Sequence, residues 1–530
     1  MINKIKHSTI AIIFLILLGG IIRLVLSSHM LVMNVDAVGY FKSGVKFMDY
    51  FDGLSAFWSP LYPLLCILFN YACNNIEIAG KVISILAGTA LIFIVFLFTR
   101  RLYDSLSAVI AAIMITYMPI MVYYSTFVTP EMTYLCFFYL SLFWFLKWVG
   151  KPSLRFGVLM GISAAAAYLT RPEGSLLSVQ IASMGLIVLV HNTLKNKTSF
   201  MRPLASLAAF IIIFTVISLP YLLLAKKEVG FLTISPRSGA NLVLTRDEFE
   251  AKIFSLTEDK KQIFGFQHYT DTTLLELINN DTEMITNKYQ DNSRYLITSV
   301  LPKVFVNKYV LLLLLTIVSI GLIANREKLP KHLLLLFLAC PILITPLYVI
   351  EVRTQIYTVP IIVVLAAATL AKPIEQIFRR YVTTFLPLSG IRKVGVGALV
   401  IILALAGTIV YHRRLEPLVA QKGLYGIGQK KAGLWLRENG MPSGKVMARK
   451  PWVAFYSGND SLQLPLASYE DILYYARVNR GKYFVIDDLV TVPLRPALSF
   501  LLDETPRDLE LVYDNMGKSG TKVRIFRLTE

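Results

Sequence analysis

Charge is scarce in this chain, and cysteine and histidine are scarcer still. Asp, Glu, Lys and Arg together make up 16% of its 530 residues against 55% hydrophobic ones, with a mean hydropathy of +0.60. That balance excludes a soluble protein and reads as a polytopic α-helical membrane protein. Four cysteines and six histidines are scattered, with no CxxC, HExxH or Cys/His cluster, so neither a disulfide framework nor a zinc site is indicated. Cys66 and Cys73 are the closest pair, but a helical rise of about 10 Å between them exceeds disulfide reach, and both read as buried thiols. There is no P-loop or Gly-rich nucleotide loop. The net charge of +19 would suggest nucleic acid in a soluble protein. Here much of the Lys and Arg falls in short loops between apolar runs, so the excess records topology, and no nucleic-acid partner is expected.

Lys4 and Lys6 precede the apolar run Ile10–Leu26, which places the N-terminus in the cytoplasm and is longer than the core of a signal peptide. Runs of about 20 apolar residues give eleven spans, near 9–28, 78–99, 106–124, 131–149, 155–170, 174–191, 203–224, 304–324, 332–350, 356–371 and 394–411. Odd parity sends the C-terminus outside. Loop charge agrees: Arg100/Arg101, Lys151/Arg155, Lys195/Lys197/Arg202, Arg326/Lys328/Lys331 and Arg379/Arg380/Arg392/Lys393 all share the side of Lys4 and Lys6.

Three long segments then face outward: 29–77, 225–303 and 412–530. The first carries Asp36, Pro60 and Pro63, and its apolar stretch Leu61–Cys73 is too short to span, which predicts an interfacial or re-entrant helix. The second has apolar residues at helical spacing, such as Leu274, Leu275, Leu277 and Ile278, and predicts a small helical cap. From about Gly423 the composition is that of an α/β module. Gln429–Asn439 reads as a helix stopped by Gly440, and Ser468 to Asp471 as a capping box opening a helix that ends before Gly481. Strand character lies at Lys445–Ala448, Tyr483–Ile486, Leu509–Tyr513 and Lys522–Leu528. The expected domains are therefore a membrane domain, 1–411, and an extracytoplasmic α/β domain, 412–530.

On this topology charged residues collect at the outer ends of spans. Asp36 follows span 1, Glu131 opens span 4 in Thr129-Pro130-Glu131, Arg171 and Glu173 close span 5, and Glu351 and Arg353 lie between spans 9 and 10. Transfer of a group from a lipid phosphate needs a carboxylate to take a proton from the acceptor hydroxyl and a cation to hold the departing phosphate. Asp36 or Glu131 supplies the first and Arg171 or Arg353 the second. Each has a plainer role: Asp36 as a solvated loop acid, Glu131 as a helix-dipole charge, Arg171 as a snorkelling cation, Glu173 as its surface partner. Their convergence on one face favours the functional reading. Asp487-Asp488 reads as a solvated strand end rather than a cation site.

Five short motifs occur in order: Asp36 with Tyr40, Ser-Pro-Leu-Tyr-Pro at 59–63, Thr-Pro-Glu at 129–131, Leu-Thr-Arg-Pro-Glu-Gly at 169–174, and Glu351-x-Arg353 followed by Tyr357 and Pro360. In these the chain resembles bacterial GT-C-fold glycosyltransferases related to protein O-mannosyltransferases and lipid A aminoarabinose transferases, over roughly residues 1–411. The resemblance implies an inverting transferase in the bacterial inner membrane. Its donor is a polyprenyl-phosphate sugar and its acceptor hydroxyl belongs to a protein, lipid or glycan. It implies Asp36 as base, Glu131 as a second acid, Arg171 and Arg353 as phosphate ligands, and Tyr40, Glu173, Glu351 and Tyr357 in support. The neighbour of Asp36 is Ala37, where many relatives carry a second acid, so a divalent metal is compatible with the family but not indicated, and no other cofactor is called for. Two other classes remain open. A transporter or flippase should show charged or broken helices at the bilayer midplane and repeat symmetry, neither of which is visible. A ligase or polymerase using a lipid-diphosphate oligosaccharide would fit the same outer face and is separated by donor length.

Overall fold

The computed structural model describes residues 2–48, 56–196, 200–265, 274–385, 417, 419–515 and 521–529. The chain groups into two compact units. One comprises Met1–His29, Ser43–Pro236 and Leu277–Val419, the other Met30–Lys42, Arg237–Glu276 and Ala420–Glu530.

In the first unit, seven helices among the described residues are long and apolar enough to cross a membrane: Thr9–Ser28, Ile76–Leu102, Glu131–Gly150, Gly174–Leu194, Met201–Val229, Arg326–Leu347 and Thr358–Ile377. Two bent pairs raise the number to nine: Ser105–Tyr117 with Pro119–Thr126 at 54°, and Thr282–Val304 with Lys308–Ala324 at 91°. The eleven expected spans are thus not all continuous crossings. Leu154–Thr170 has 17 residues, about 25 Å of helix against a hydrocarbon core of about 30 Å. The 394–411 span lies outside the described residues.

The breaks have local causes. Met118 precedes a proline and is extended, at φ −64° and ψ 114°, as the clash with the proline ring demands, so the span bends there. Asn307 opens Lys308–Ala324 by accepting from Tyr309 N at 2.9 Å and Val310 N at 3.0 Å. The expected short helix Leu61–Cys73 forms. Asn74, at φ 49°, closes it, and Asn75 Oδ1 opens Ile76–Leu102 by accepting from Glu77 N and Ile78 N, both at 3.1 Å. The fully buried Tyr62 ties the short helix down through Oη to Gly80 O at 3.3 Å and Ser84 Oγ at 3.0 Å. Cys66 is a buried thiol as expected, whereas Cys73, at the helix end, is only half-buried.

The bundle core is apolar, built from residues such as Leu15, Leu91, Ala112, Ile115, Leu135, Tyr139, Trp148 and Leu365. A charge lies inside it, in the first span. The first apolar run contains Arg23, fully buried, whose Nε donates to Ser125 Oγ at 3.1 Å and whose Nη1 donates to Gly19 O at 3.0 Å.

The second unit is built on a five-stranded sheet: β1 (Lys445–Ala448), β2 (Ser461–Gln463), β3 (Gly481–Asp487), β4 (Leu509–Asp514) and β5 (Val523–Leu528) in the order β2-β1-β3-β5-β4. β1 runs parallel to β2 and β3, while β5 is antiparallel to both β3 and β4. Helices Ile427–Glu438, Trp452–Ser457 and Tyr469–Val478 cover it. Ser468 caps the last of these by accepting from Asp471 N at 3.3 Å, but the reciprocal half of the expected box is absent because Asp471 binds Lys260 Nζ at 2.6 Å. Asp487 is not a solvated strand end. It is buried, Oδ1 accepts from Leu489 N, Val490 N and Thr491 N at 3.1, 2.6 and 3.3 Å, and Oδ2 accepts from Thr491 Oγ1 at 2.6 Å. It organises the turn out of β3.

Part of the expected helical cap belongs to this unit. Residues 237–276 supply the helices Ser238–Val243 and Arg246–Ile253. Leu466 N donates to Phe254 O at 2.7 Å. Glu250 takes a fork from Arg449 and a bond from Arg495 Nη1 at 2.9 Å. Burial alone would raise the Glu250 carboxyl, but the two guanidiniums hold it below its ordinary range.

Candidate functional site: an arginine held by two carboxylates

Pro130, at φ −77° and ψ −10°, is already helical in its backbone, so Glu131 is the first residue of its helix and points its carboxylate from the first turn. It is fully buried. Forty residues later, Leu154–Thr170 must stop before Pro172, and Arg171 is extended at φ −149° and ψ 138°. The turn closes with Gly174 N donating to Arg171 O at 3.0 Å. A Cβ on Gly174 would lie 2.4 Å from Tyr168 N, so only glycine permits this tight reversal.

The reversal brings three sequence-predicted residues together. Arg171 Nη1 donates to Glu131 Oε1 at 2.5 Å, Nη2 to Glu173 Oε1 at 2.7 Å and Nε to Glu173 Oε2 at 3.2 Å. The Arg171 side chain is 12% exposed, Glu131 0% and Glu173 33%. Arg171 is tied to two carboxylates rather than snorkelling, and Glu173 is its ion-pair partner as the plainer reading had it, a third exposed. Burial alone would lower the Arg171 pKa, yet attraction from Glu173 and Glu131 and the hydrogen bond to Glu173 leave it raised. The second Glu131 oxygen, Oε2, is buried without a hydrogen-bond partner among the described residues. Three of the five guanidinium N–H groups are committed to carboxylates.

Glu351 and Arg353 belong to the same unit. Arg353, in the 3₁₀ turn Val352–Gln355, donates through Nε to the Glu351 carboxylate. Tyr357 is set apart in the core: it is buried, its Oη donates to Ala339 O at 3.4 Å, and its carbonyl accepts from Tyr139 Oη at 2.7 Å. Asp36 and Tyr40 belong to the second unit. Asp36 is half-buried in the first turn of the helix Val35–Met48, where the helix dipole favours the ionised carboxylate, and Tyr40 is buried one turn on.

Sequence reasoning missed Gln355. Gln355 is fully buried, with Oε1 unpartnered among the described residues, two positions beyond Arg353. No local pattern distinguishes it.

Residues 58–221 match the family described as dolichyl-phosphate-mannose-protein mannosyltransferases. This stretch contains the Ser-Pro-Leu-Tyr-Pro, Thr-Pro-Glu and Leu-Thr-Arg-Pro-Glu-Gly motifs. No curated protein sequence matches the chain significantly. Among solved structures, ArnT from Cupriavidus metallidurans bound to undecaprenyl phosphate is 13% identical, covers 97% of each chain and has a TM-score of 0.52. The apo oligosaccharyltransferase of Archaeoglobus fulgidus is 14% identical, covers 91% of this chain and 69% of that one, and also has a TM-score of 0.52. At this identity the likeness is one of fold. The protein is a multi-pass membrane protein that shares the fold of these transferases, and its residues 58–221 match the mannosyltransferase family.

Proposed function

We propose that the protein is an inverting glycosyltransferase that moves a sugar from a polyprenyl-phosphate carrier to an acceptor hydroxyl at the outer face of the bacterial inner membrane. The observation that carries this reading is the buried Arg171, raised in pKa and held by Glu131 and Glu173 in a GT-C fold. The undecaprenyl phosphate in the ArnT structure supports a donor of that class. Asp36 takes the hydroxyl proton as the acceptor oxygen attacks the anomeric carbon. The carbon–oxygen bond to phosphate breaks, and its electron pair leaves on the phosphate. Arg171 and Arg353 hold that charge. The phosphate displaces a carboxylate from Arg171, and Glu173, the more exposed of the two, is the one with room to swing away. Glu131 is the fixed second acid, Glu351 orients Arg353, and Tyr40 and Tyr357 have supporting roles. The catalytic domain is 1–411, with outer loops 29–77 and 225–303, and 412–530 is the extracytoplasmic module.

Mass spectrometry of envelope glycans, glycoproteins and lipids from cells with and without the gene tests the activity. A product that lacks one sugar in the deleted strain is expected, and unchanged products in all three classes would sink the proposal. The basic short loops put the N-terminus in the cytoplasm and the C-terminus outside. A reporter active only outside the cytoplasm should work when fused after Glu530 and stay silent near 325–330. The reverse result would overturn this orientation.

A further inference from the structure

The segment that carries Asp36 is gripped by the C-terminal module within the second unit. Met30, Val32, Met33, Ala37, Val38 and Phe41 are all buried. Gly423 O accepts from Leu31 N and Val32 N, both at 3.2 Å, and Lys430 Nζ donates to Leu31 O at 2.7 Å. Both backbone polar groups of Met33 are then taken by one short helix. Trp452 Nε1 donates to Met33 O at 3.1 Å, and Met33 N donates to Tyr456 Oη in a longer contact of 3.4 Å. Phe455, from the same helix, packs on Phe41 with ring centroids 6.0 Å apart. The indole in turn is seated against Gly426, at φ +85°, where a Cβ would come within 3.0 Å of the ring. The 1% exposure of Trp452 leaves it no freedom to turn away.

These bonds fall three residues before Asp36, where the chain enters the helix Val35–Met48. Fixing both polar groups of Met33 sets where that helix begins and so where its first-turn carboxylate points. We propose that Trp452 and Tyr456 are positioning residues for Asp36, and that the C-terminal module is an integral part of the catalytic apparatus. This inference rests on Asp36 being the base. Misplacement of a catalytic group by about 1 Å can cost about 10²-fold in rate.

The test compares Trp452→Phe/Tyr456→Phe, which keeps an aromatic ring at each position, a smaller one at 452, and removes both polar contacts, with Asp36→Asn in cells lacking the native gene. Two readouts are needed: the rate at which the missing glycan product reappears after induction, at equal protein level, and hydrogen–deuterium exchange of the purified protein. The double variant should form product about 10- to 10²-fold more slowly, with faster exchange at residues 31–38 and unchanged exchange in β3 and β5. Wild-type product formation beside an inactive Asp36→Asn would overturn the clamp alone. Loss of activity together with lost protection in β3 and β5 would also overturn it, by showing a merely structural role. Normal turnover by Asp36→Asn would instead remove the base assignment. Should the double variant fail to fold, Tyr456→Phe alone decides, because it deletes a single oxygen: slower product formation with local exchange supports the clamp, and wild-type behaviour in both readouts overturns it.

Discussion

Asp36→Asn is expected to insert and fold normally and to lose sugar transfer by about 10²- to 10⁴-fold, the usual worth of general-base assistance. The substitution keeps size and shape and removes only the proton acceptor. A carboxylate with an ordinary pKa near 3.9 is a weak base at neutral pH. The carboxylate here stands in the first turn of Val35–Met48, where the dipole favours its charge. On the proposed mechanism the proton would then move late in the attack, as the forming bond to the anomeric carbon makes the hydroxyl acidic. Donor binding should survive in the variant, and the glycan product should be missing from cells that carry it. Near wild-type turnover by a well-inserted Asp36→Asn protein would end the mechanism.

Arg171→Ala is expected to damage both stability and turnover. Breaking a buried ion pair from one side typically costs about 3–5 kcal/mol, because the remaining charge is left without compensation. Here that charge is Glu131, with 0% side-chain exposure and one oxygen already unpartnered. Arg171→Met combined with Glu131→Gln should regain most of the lost thermal stability in detergent while staying inactive, since the phosphate then keeps only Arg353 and lacks the Arg171 guanidinium. Arg171→Lys should fall between, since an ammonium keeps the charge but lacks the planar fork that serves two carboxylates at once. An Arg171→Ala protein that melts and turns over like the wild type would refute both the coupling and the phosphate role.

Composition and apolar run length made the membrane-spanning class legible, because a helix exposed to lipid must be apolar over its whole crossing. The breaks were less legible. Met118-Pro119, Asn74-Asn75 and Asn307 all carry local signals for a break, but none of them gives its angle, 91° before Lys308. Arg23 was hidden by its neighbours, since one charge scarcely changes the mean hydropathy of a run. Most strands of the α/β module were recognisable, but β2, with three residues, is too short to show alternation. At the candidate site the sequence supplied residue types and depth. It could not supply the Arg171–Glu131 pair, because forty residues and two separate helices lie between the partners and only tertiary packing joins them. Asp487 shows the reverse failure, since a short acid at a strand end looks solvated until its turn folds back over it.

The clamp on Met33 joins residues 419 and 423 positions apart. At about 5–20 residues per second of synthesis, the segment bearing Asp36 leaves the ribosome about 20–80 s before Trp452 exists to hold it. Every other charged member of the proposed site, Glu131, Arg171, Glu173, Glu351 and Arg353, is already made within that interval. On the proposed roles, a nascent chain carries every charged residue of the site well before it carries the two aromatic side chains that would aim the base. A chain stalled short of residues 452–456 would hold the chemical groups without the contacts proposed to set them.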